Sequence, residues 1–216
     1  MDACRIQAII FDLDGVLLST DKYHYIAWQT LADELGIPFC EKDNEAFRGV
    51  SRMDCLEMLL SKKTSLVLTD SEKIAYADRK NKTYRKLLET LSPAFIEDEV
   101  RVTLNALRQK GYRLAVGSSS KNSKFILNKT DLTASFDAIV DGNDISRSKP
   151  DPEVFLKAAE KLGVKSCHCA VIEDAEAGLA AAVAGGMLPV AVGEATHSHL
   201  AKLSVQSFGE LNTIFR

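Results

Sequence analysis

The chain has 216 residues, of which 27 are basic and 30 acidic, for a formal net charge of −3. That near-balance gives no support for a nucleic-acid or anionic-membrane surface, which would need clustered Lys and Arg, and no apolar run approaches the roughly 18 residues of a membrane span. The length suits one full core with a smaller inserted domain.

The start, Met1-Asp2-Ala3-Cys4-Arg5, lacks the basic-then-apolar layout of a secretory leader, and the cysteines form no disulfide framework, so a cytoplasmic protein is expected. Gln7 to Phe11 then reads as a short buried strand, followed directly by Asp12-Leu13-Asp14-Gly15-Val16. Asp is a poor strand former and costly to bury unpaired, so two of them at a strand end call for a partner. Ligands of open α/β sheets collect beyond the carboxyl ends of strands, which is where this pair falls. An Asx-type turn would use the same residues.

Between Leu18 and Leu91 the pattern is helical and charged, with no clear strand. His24 to Leu35 and Arg52 to Leu60 are amphipathic, and Ser71 to Leu91 reads as one long helix or two. This block is expected to be an α-helical cap domain over residues 18–91, inserted into an α/β core formed by residues 1–17 and 92–216. His24 and Trp28 share a helix face, and Trp28 continues towards Leu31, Ala32 and Leu35 as an ordinary packing stripe would.

From about Phe95 helix and strand alternate: helix Glu99 to Gln109, strand Tyr112 to Val116, strand Phe136 to Val140, helix Pro152 to Leu162, strand Cys169 to Ile172, helix Gly178 to Ala184 and a last strand Leu188 to Val192. Strands separated by single helices predict a doubly wound parallel sheet, Rossmann-like, with right-handed crossovers. Cys167 and Cys169 are two apart in a strand-like segment. They are expected to face one way as core or surface thiols rather than to hold zinc.

Collecting the residues at strand ends gives Asp12 and Asp14, Ser118 to Ser120, Lys149 before Pro150, and Glu173 with Asp174. Carboxylates gathered at one place repel, and oxygen ligands suit Mg²⁺. Hydroxyls, backbone N–H groups and a lysine complement phosphate. Together they predict phosphoryl transfer, with an aspartyl-phosphate as one route. Lys149 could instead be a solvated loop lysine, and Arg52 and Lys80 ordinary helix-surface residues.

The ordered set Asp12-Leu13-Asp14-Gly15-Val16, Ser118, Lys149-Pro150 and Glu173-Asp174 resembles the four motifs of the haloacid-dehalogenase-like superfamily across essentially the whole chain. The resemblance implies that Asp12 is the nucleophile and Asp14 the general acid/base. It implies Mg²⁺ held by Asp12, the Asp14 carbonyl and Asp174, with Glu173 as ligand or support, and a transferring phosphate held by Ser118, Ser119 and Lys149. A second layer, Tyr23-His24-Tyr25-Ile26-Ala27-Trp28, Gly49-Val50-Ser51-Arg52, Arg79-Lys80-Asn81 and Ser118 to Asn122, is similar to the β-phosphoglucomutase family within it. That likeness implies interconversion of β-glucose 1-phosphate and glucose 6-phosphate, with glucose 1,6-bisphosphate as activator. Arg52, Lys80, Ser120 and Asn122 would bind the distal phosphate or sugar, Trp28 would lie over the sugar, and His24 would link cap closure to Asp14. Arg52 is suited to the distal phosphate because a guanidinium offers a bidentate fork.

Cys55 stands where the mutase motif has serine, Ser19 where aspartate is usual, and Glu97-Asp98 where Pro-Gly is usual. A sugar-phosphate phosphatase on the same scaffold is the nearest alternative, because both reactions need a nucleophile and an acid/base. A non-enzymatic phosphate- or partner-binding module would dispense with Asp12, Lys149 or Asp174, all of which are present. A monomer acting on a small hexose phosphate, with no nucleic-acid or membrane partner, is expected.

Overall fold

A computed structural model describes residues 5–216; Cys4 and the residues before it, used above in the leader and cysteine readings, lie outside the described residues. The chain divides into two compact units, one running to Ser19 and resuming at Ser92, the other spanning Thr20–Leu91. Leu18 and Ser19 thus belong with the first unit, two residues beyond the boundary read from sequence. Backbone bonds explain the difference: Gly15 N–H donates to the Leu18 carbonyl at 2.7 Å, and Leu17 and Leu18 both donate to Leu13. The loop is closed on itself before the chain leaves.

In chain order, β1 (Ala8–Phe11) leads to the helices of the second unit, α1 (Asp21–Leu35), α2 (Glu41–Glu45), α3 (Arg52–Ser61) and α4 (Asp70–Leu88). The first unit continues with α5 (Asp98–Gln109), β2 (Arg113–Gly117), α6 (Ser123–Lys129), β3 (Ala138–Val140), α7 (Glu153–Leu162), β4 (Cys169–Glu173), α8 (Glu176–Ala184), β5 (Leu188–Ala191), β6 (Leu203–Ser204) and α9 (Leu211–Ile214). The long cap segment is therefore one helix. It starts at Thr69, whose hydroxyl accepts from Glu72 N–H while the Glu72 carboxylate accepts from Thr69 N–H. The sequence reading missed α2, α6, α9 and β6, all of them short. Cys167 sits in a 3₁₀ turn and is exposed whereas Cys169 is buried in β4, so the expectation that both face one way is corrected.

The strands form one parallel sheet in the order β3-β2-β1-β4-β5-β6. Strands covered on both faces read as continuous apolar runs, and β1, Ala-Ile-Ile-Phe, is buried throughout. Alternation sends Ala8 and Ile10 into a core with Val154, Phe155 and Leu162 of α7 and Ala181 and Ala182 of α8. Phe11 belongs to the opposite face, its ring 6.1 Å from Phe136 and 5.7 Å from Phe208. Helix α7 stops at Gly163, where φ is 66° and the N–H turns back to the Ala159 carbonyl. Between β1 and β4 the strand order reverses, and at such a switch point the connections leave the sheet in opposite directions and open a crevice at the carboxyl edge.

The second unit has its own core, built from Trp28, Leu31 and Leu35 of α1, Leu56 and Leu59 of α3, Ala77 of α4, and Phe39 and Phe47 from the connections.

Candidate active site

Asp12 follows the last residue of β1. Its N–H continues the ladder to the Ile172 carbonyl at 3.0 Å, so the backbone is anchored in the sheet while the side chain stands at the carboxyl edge. Lys149, from the loop before α7, brings its Nζ to 2.5 Å from Asp12 Oδ1 and 2.5 Å from Glu173 Oε1, and lies 4.7 Å from the centre of the Phe155 ring. Asp12, Lys149 and Glu173 are 7 %, 9 % and 1 % exposed, so these charges interact with little water between them. Glu173 Oε2 accepts from the N–H groups of Asp174 and Ala175 at 3.0 and 2.9 Å. Both oxygens of Glu173 are thus engaged, which suits support of the site better than direct ligation.

The loop after β2 carries the serines. Ser118 N–H donates to the Val140 carbonyl at 3.1 Å, and its Oγ accepts from Ser120 N–H at 3.2 Å. Ser119 Oγ accepts from Lys149 N–H at 3.4 Å, which ties this loop to the lysine loop. Ser120 Oγ accepts from the N–H of buried Asn122 at 3.3 Å. Asp14 is half-buried in the loop closed by the Leu13–Leu18 bonds and forms a parallel bridge with Leu18.

The electrostatics are those of crowded carboxylates. Burial pushes Asp12 from 3.8 to about 7; Glu173 and Asp14 add to the rise and Lys149 opposes it. Burial likewise raises Asp174 to about 8, helped by Asp12, Glu173 and Asp14. For Lys149 burial acts against the charge, but Asp12 and Glu173 outweigh it and hold the ammonium above its ordinary range. The Asp174 carboxylate occupies the space a Cβ on Gly15 would need, and Gly15 has φ +79°. A divalent cation fits this surplus of negative oxygen. Among the described residues no three His, Cys, Asp or Glu side chains form a ready-made cage. The implied set, two carboxylates and a main-chain carbonyl, matches the habit of Mg²⁺, which keeps several waters and uses few protein ligands.

The second unit gathers its own cluster. The Lys80 ammonium, on a residue 3 % exposed, donates to His24 Nδ1 at 2.9 Å and lies 4.5 Å from the Trp28 ring centre and 5.0 Å from that of Tyr84. The His24 and Tyr84 rings are 4.0 Å apart, and Tyr84 OH bonds Thr20 Oγ1 at 2.7 Å. Burial, then Lys80 and Arg52, drive the His24 pKa well below its ordinary value, so the imidazole is neutral and can accept. The Arg52 guanidinium is 3.9 Å from Asp78 and a quarter exposed. Tyr84 was not anticipated; its place four residues after Lys80 on one helix was the available signal.

Trp28, which reads as a packing stripe and which the resemblance sets over the sugar, is 2 % exposed, edge-on to Phe47 at 5.3 Å, and packs within the unit's own core. Its aromatic bulk is buried for the hydrophobic gain, and what it offers the polar cluster is a π-face for Lys80. Cys55 is also buried, its thiol directed at the Phe47 and Val50 carbonyls and pushed up to about 12 by burial, so this departure from the motif is a core residue here.

The core motif residues thus converge at the carboxyl edge of the sheet, and His24, Lys80 and Trp28 converge within the second unit. The family model described as haloacid dehalogenase-like hydrolase matches residues 6–186. The β-phosphoglucomutase of Bacillus subtilis (strain 168) is 37 % identical over 207 residues, covering 95 % of this chain and 92 % of that protein. A phosphorylated carbohydrates phosphatase of Thermotoga maritima is 29 % identical over 84 % of this chain and 82 % of its own length. Among solved structures, the β-phosphoglucomutase of Clostridium difficile superposes with a TM-score of 0.88 at 36 % identity, covering 95 % of this chain and 93 % of that one. The motifs, the sheet order and these matches agree: the chain belongs to the haloacid dehalogenase-like hydrolase family.

Proposed function

We propose that the chain is a Mg²⁺-dependent phosphomutase that interconverts β-D-glucose 1-phosphate and glucose 6-phosphate through an aspartyl-phosphate and glucose 1,6-bisphosphate. The observation that carries phosphoryl transfer at Asp12 is the Lys149 ammonium shared at 2.5 Å between Asp12 and Glu173, and the similarity to β-phosphoglucomutases favours the mutase over the phosphatase. A carboxylate whose pKa is driven towards 7 by burial is a useful nucleophile only when ionised, and the adjacent ammonium favours that form.

In this mechanism Asp12 attacks a phosphorus of glucose 1,6-bisphosphate, the P–O bond to the sugar breaks, and Asp14 gives its proton to the departing sugar oxygen. The phosphorylated Asp12 then passes its phosphoryl group to the 6-hydroxyl of β-glucose 1-phosphate while Asp14 takes the hydroxyl proton. The bisphosphate turns over, returns its C1 phosphoryl group to Asp12, and leaves as glucose 6-phosphate with the proton from Asp14. Ser118, Ser119 and Lys149 hold the transferring group and offset its charge. Asp12, the Asp14 carbonyl and Asp174 would hold Mg²⁺, which would supply further neutralisation of phosphoryl charge, while Glu173 fixes the lysine. Arg52, Lys80, Ser120 and Asn122 are assigned to the distal phosphate and sugar, and neutral His24 orients Lys80. Transfer to sugar instead of water requires water to be excluded while Asp12 carries the group.

The chain acts, in this reading, as a cytoplasmic monomer on a small hexose phosphate. No helix among the described residues is long and apolar enough to cross a membrane. The Thermotoga relative favours a second reading, hydrolysis of a sugar phosphate with water as acceptor. One assay separates them: β- and α-glucose 1-phosphate are incubated with Mg²⁺ and a trace of glucose 1,6-bisphosphate. Glucose 6-phosphate from the β anomer alone supports the mutase, and free phosphate as main product supports the phosphatase.

A further inference from the structure

We propose that the turn Asp141-Gly142-Asn143, which follows β3, is a positioning element that sets the phosphate loop 118–122. The inference rests on the reading above that this loop holds phosphate. β2 and β3 pair up to Gly117 and Val140, and the bond from Ser118 N–H to the Val140 carbonyl carries that pairing one step past the sheet. The turn carries it further. Gly142 N–H donates to the Ser120 carbonyl at 3.1 Å, and Asn143 Nδ2 donates to the Lys121 carbonyl at 3.0 Å.

Two features make the turn specific to this task. A Cβ on Gly142 would run into the carbonyl oxygen of Ser119 and lie 3.0 Å from Lys121 N, so only glycine lets the turn approach the loop backbone this closely. Asp141 is fully buried, and its Oδ1 accepts from the backbone N–H of Asn143 at 2.9 Å and from Asn143 Nδ2 at 3.1 Å, which orients the amide that reaches Lys121. The other Asp141 oxygen has no hydrogen-bond partner among the described residues. A buried carboxylate with one unpaired oxygen is costly; the Lys124 ammonium, 3.5 Å from Oδ1, offsets part of that cost, and the two bonds from Asn143 to the same oxygen hold the turn in place. The turn therefore fixes the backbone of the segment that carries Ser118, Ser119 and Ser120.

The test uses the full chain with Mg²⁺, with inorganic phosphate as probe, titrated calorimetrically and followed by amide NMR. Gly142→Ala is expected to weaken phosphate binding about tenfold and Asn143→Ala about threefold, in proportion to the displacement each imposes. The amide resonances of Ser118 to Asn122 are expected to move while those of Glu173 to Ala175 stay, with thermal stability of Asn143→Ala unchanged. Phosphate affinity equal to wild type in Gly142→Ala, or losses that track global stability and move both sets of amides, overturns the proposal. If Gly142→Ala does not fold, exposed Asn143 decides by the same readouts. A wild-type chain that binds no phosphate removes the underlying reading and the inference with it, whereas wild-type binding left intact in both variants removes the inference alone.

Discussion

Lys149 and Glu173 form a buried ion pair at 2.5 Å whose acidic member is held by the chain's own backbone, through the N–H groups of Asp174 and Ala175. Glu173 therefore does two things with one carboxylate: it fixes the turn that presents Asp174, and it holds the lysine against Asp12. Removing it leaves two N–H groups without that acceptor and the ammonium with one carboxylate instead of two. Glu173→Ala is expected to cost about 3 kcal/mol of stability in metal-free protein, measured by urea unfolding. Glu173→Gln, which still offers an oxygen, should cost less. A Glu173→Ala variant as stable as wild type would mean that the pair contributes nothing to the fold.

Asp12→Asn is expected to lower mutase turnover by about three orders of magnitude or more, because an amide cannot accept and pass on the phosphoryl group. The fold should persist, since the substitution removes a buried charge together with the ion pair it made. Near-normal turnover, checked by coupled detection of glucose 6-phosphate, would refute the nucleophile assignment.

Asp12 and Asp174, raised to about 7 and about 8, make metal-free stability depend on pH. Unfolded, both titrate near 3.8, so between about pH 4 and 8 the folded protein binds more protons than the unfolded chain. Their contribution is present at low pH and is lost as pH rises through 7 and 8, at most about 1.4 kcal/mol per pH unit for each group. Unfolding from pH 5 to 8 in chelator is expected to show this fall, and Asp174→Asn to flatten it. Mg²⁺ competes with those protons, so its stabilising effect should grow with pH. A wild type and Asp174→Asn variant with the same slope would contradict the assignment.

Arg52→Ala should reduce kcat/KM for β-glucose 1-phosphate at least about thirtyfold, the scale of losing a charged hydrogen-bonded partner, while acetyl phosphate, which has no distal phosphate, changes little. Equal losses on the two substrates would remove the distal-clamp role.

Much of this was legible in the residue order, because it is local. Asp12 and Asp14 one residue apart after an apolar run, and Gly163 after an amphipathic helix, each obey short-range rules that hold whatever surrounds them. Strands alternating with helices were enough for a parallel sheet, and the strand-end polar residues were enough to nominate the site.

The tertiary structure decided the rest, because it depends on contacts between residues far apart in the chain. Lys149 meets Asp12 across 137 positions, and no spacing rule announces that the same ammonium also holds Glu173. Trp28 reads alike as core stripe or sugar platform, and only the packing of Phe47 and Lys80 around it selects the core. The Asp141-Gly142-Asn143 turn carries no motif at all; its meaning comes from lying against the Ser119 carbonyl on the neighbouring strand's loop. Local stereochemistry is written residue by residue, whereas burial, charge crowding and close approach exist only once the sheet has brought its strands together.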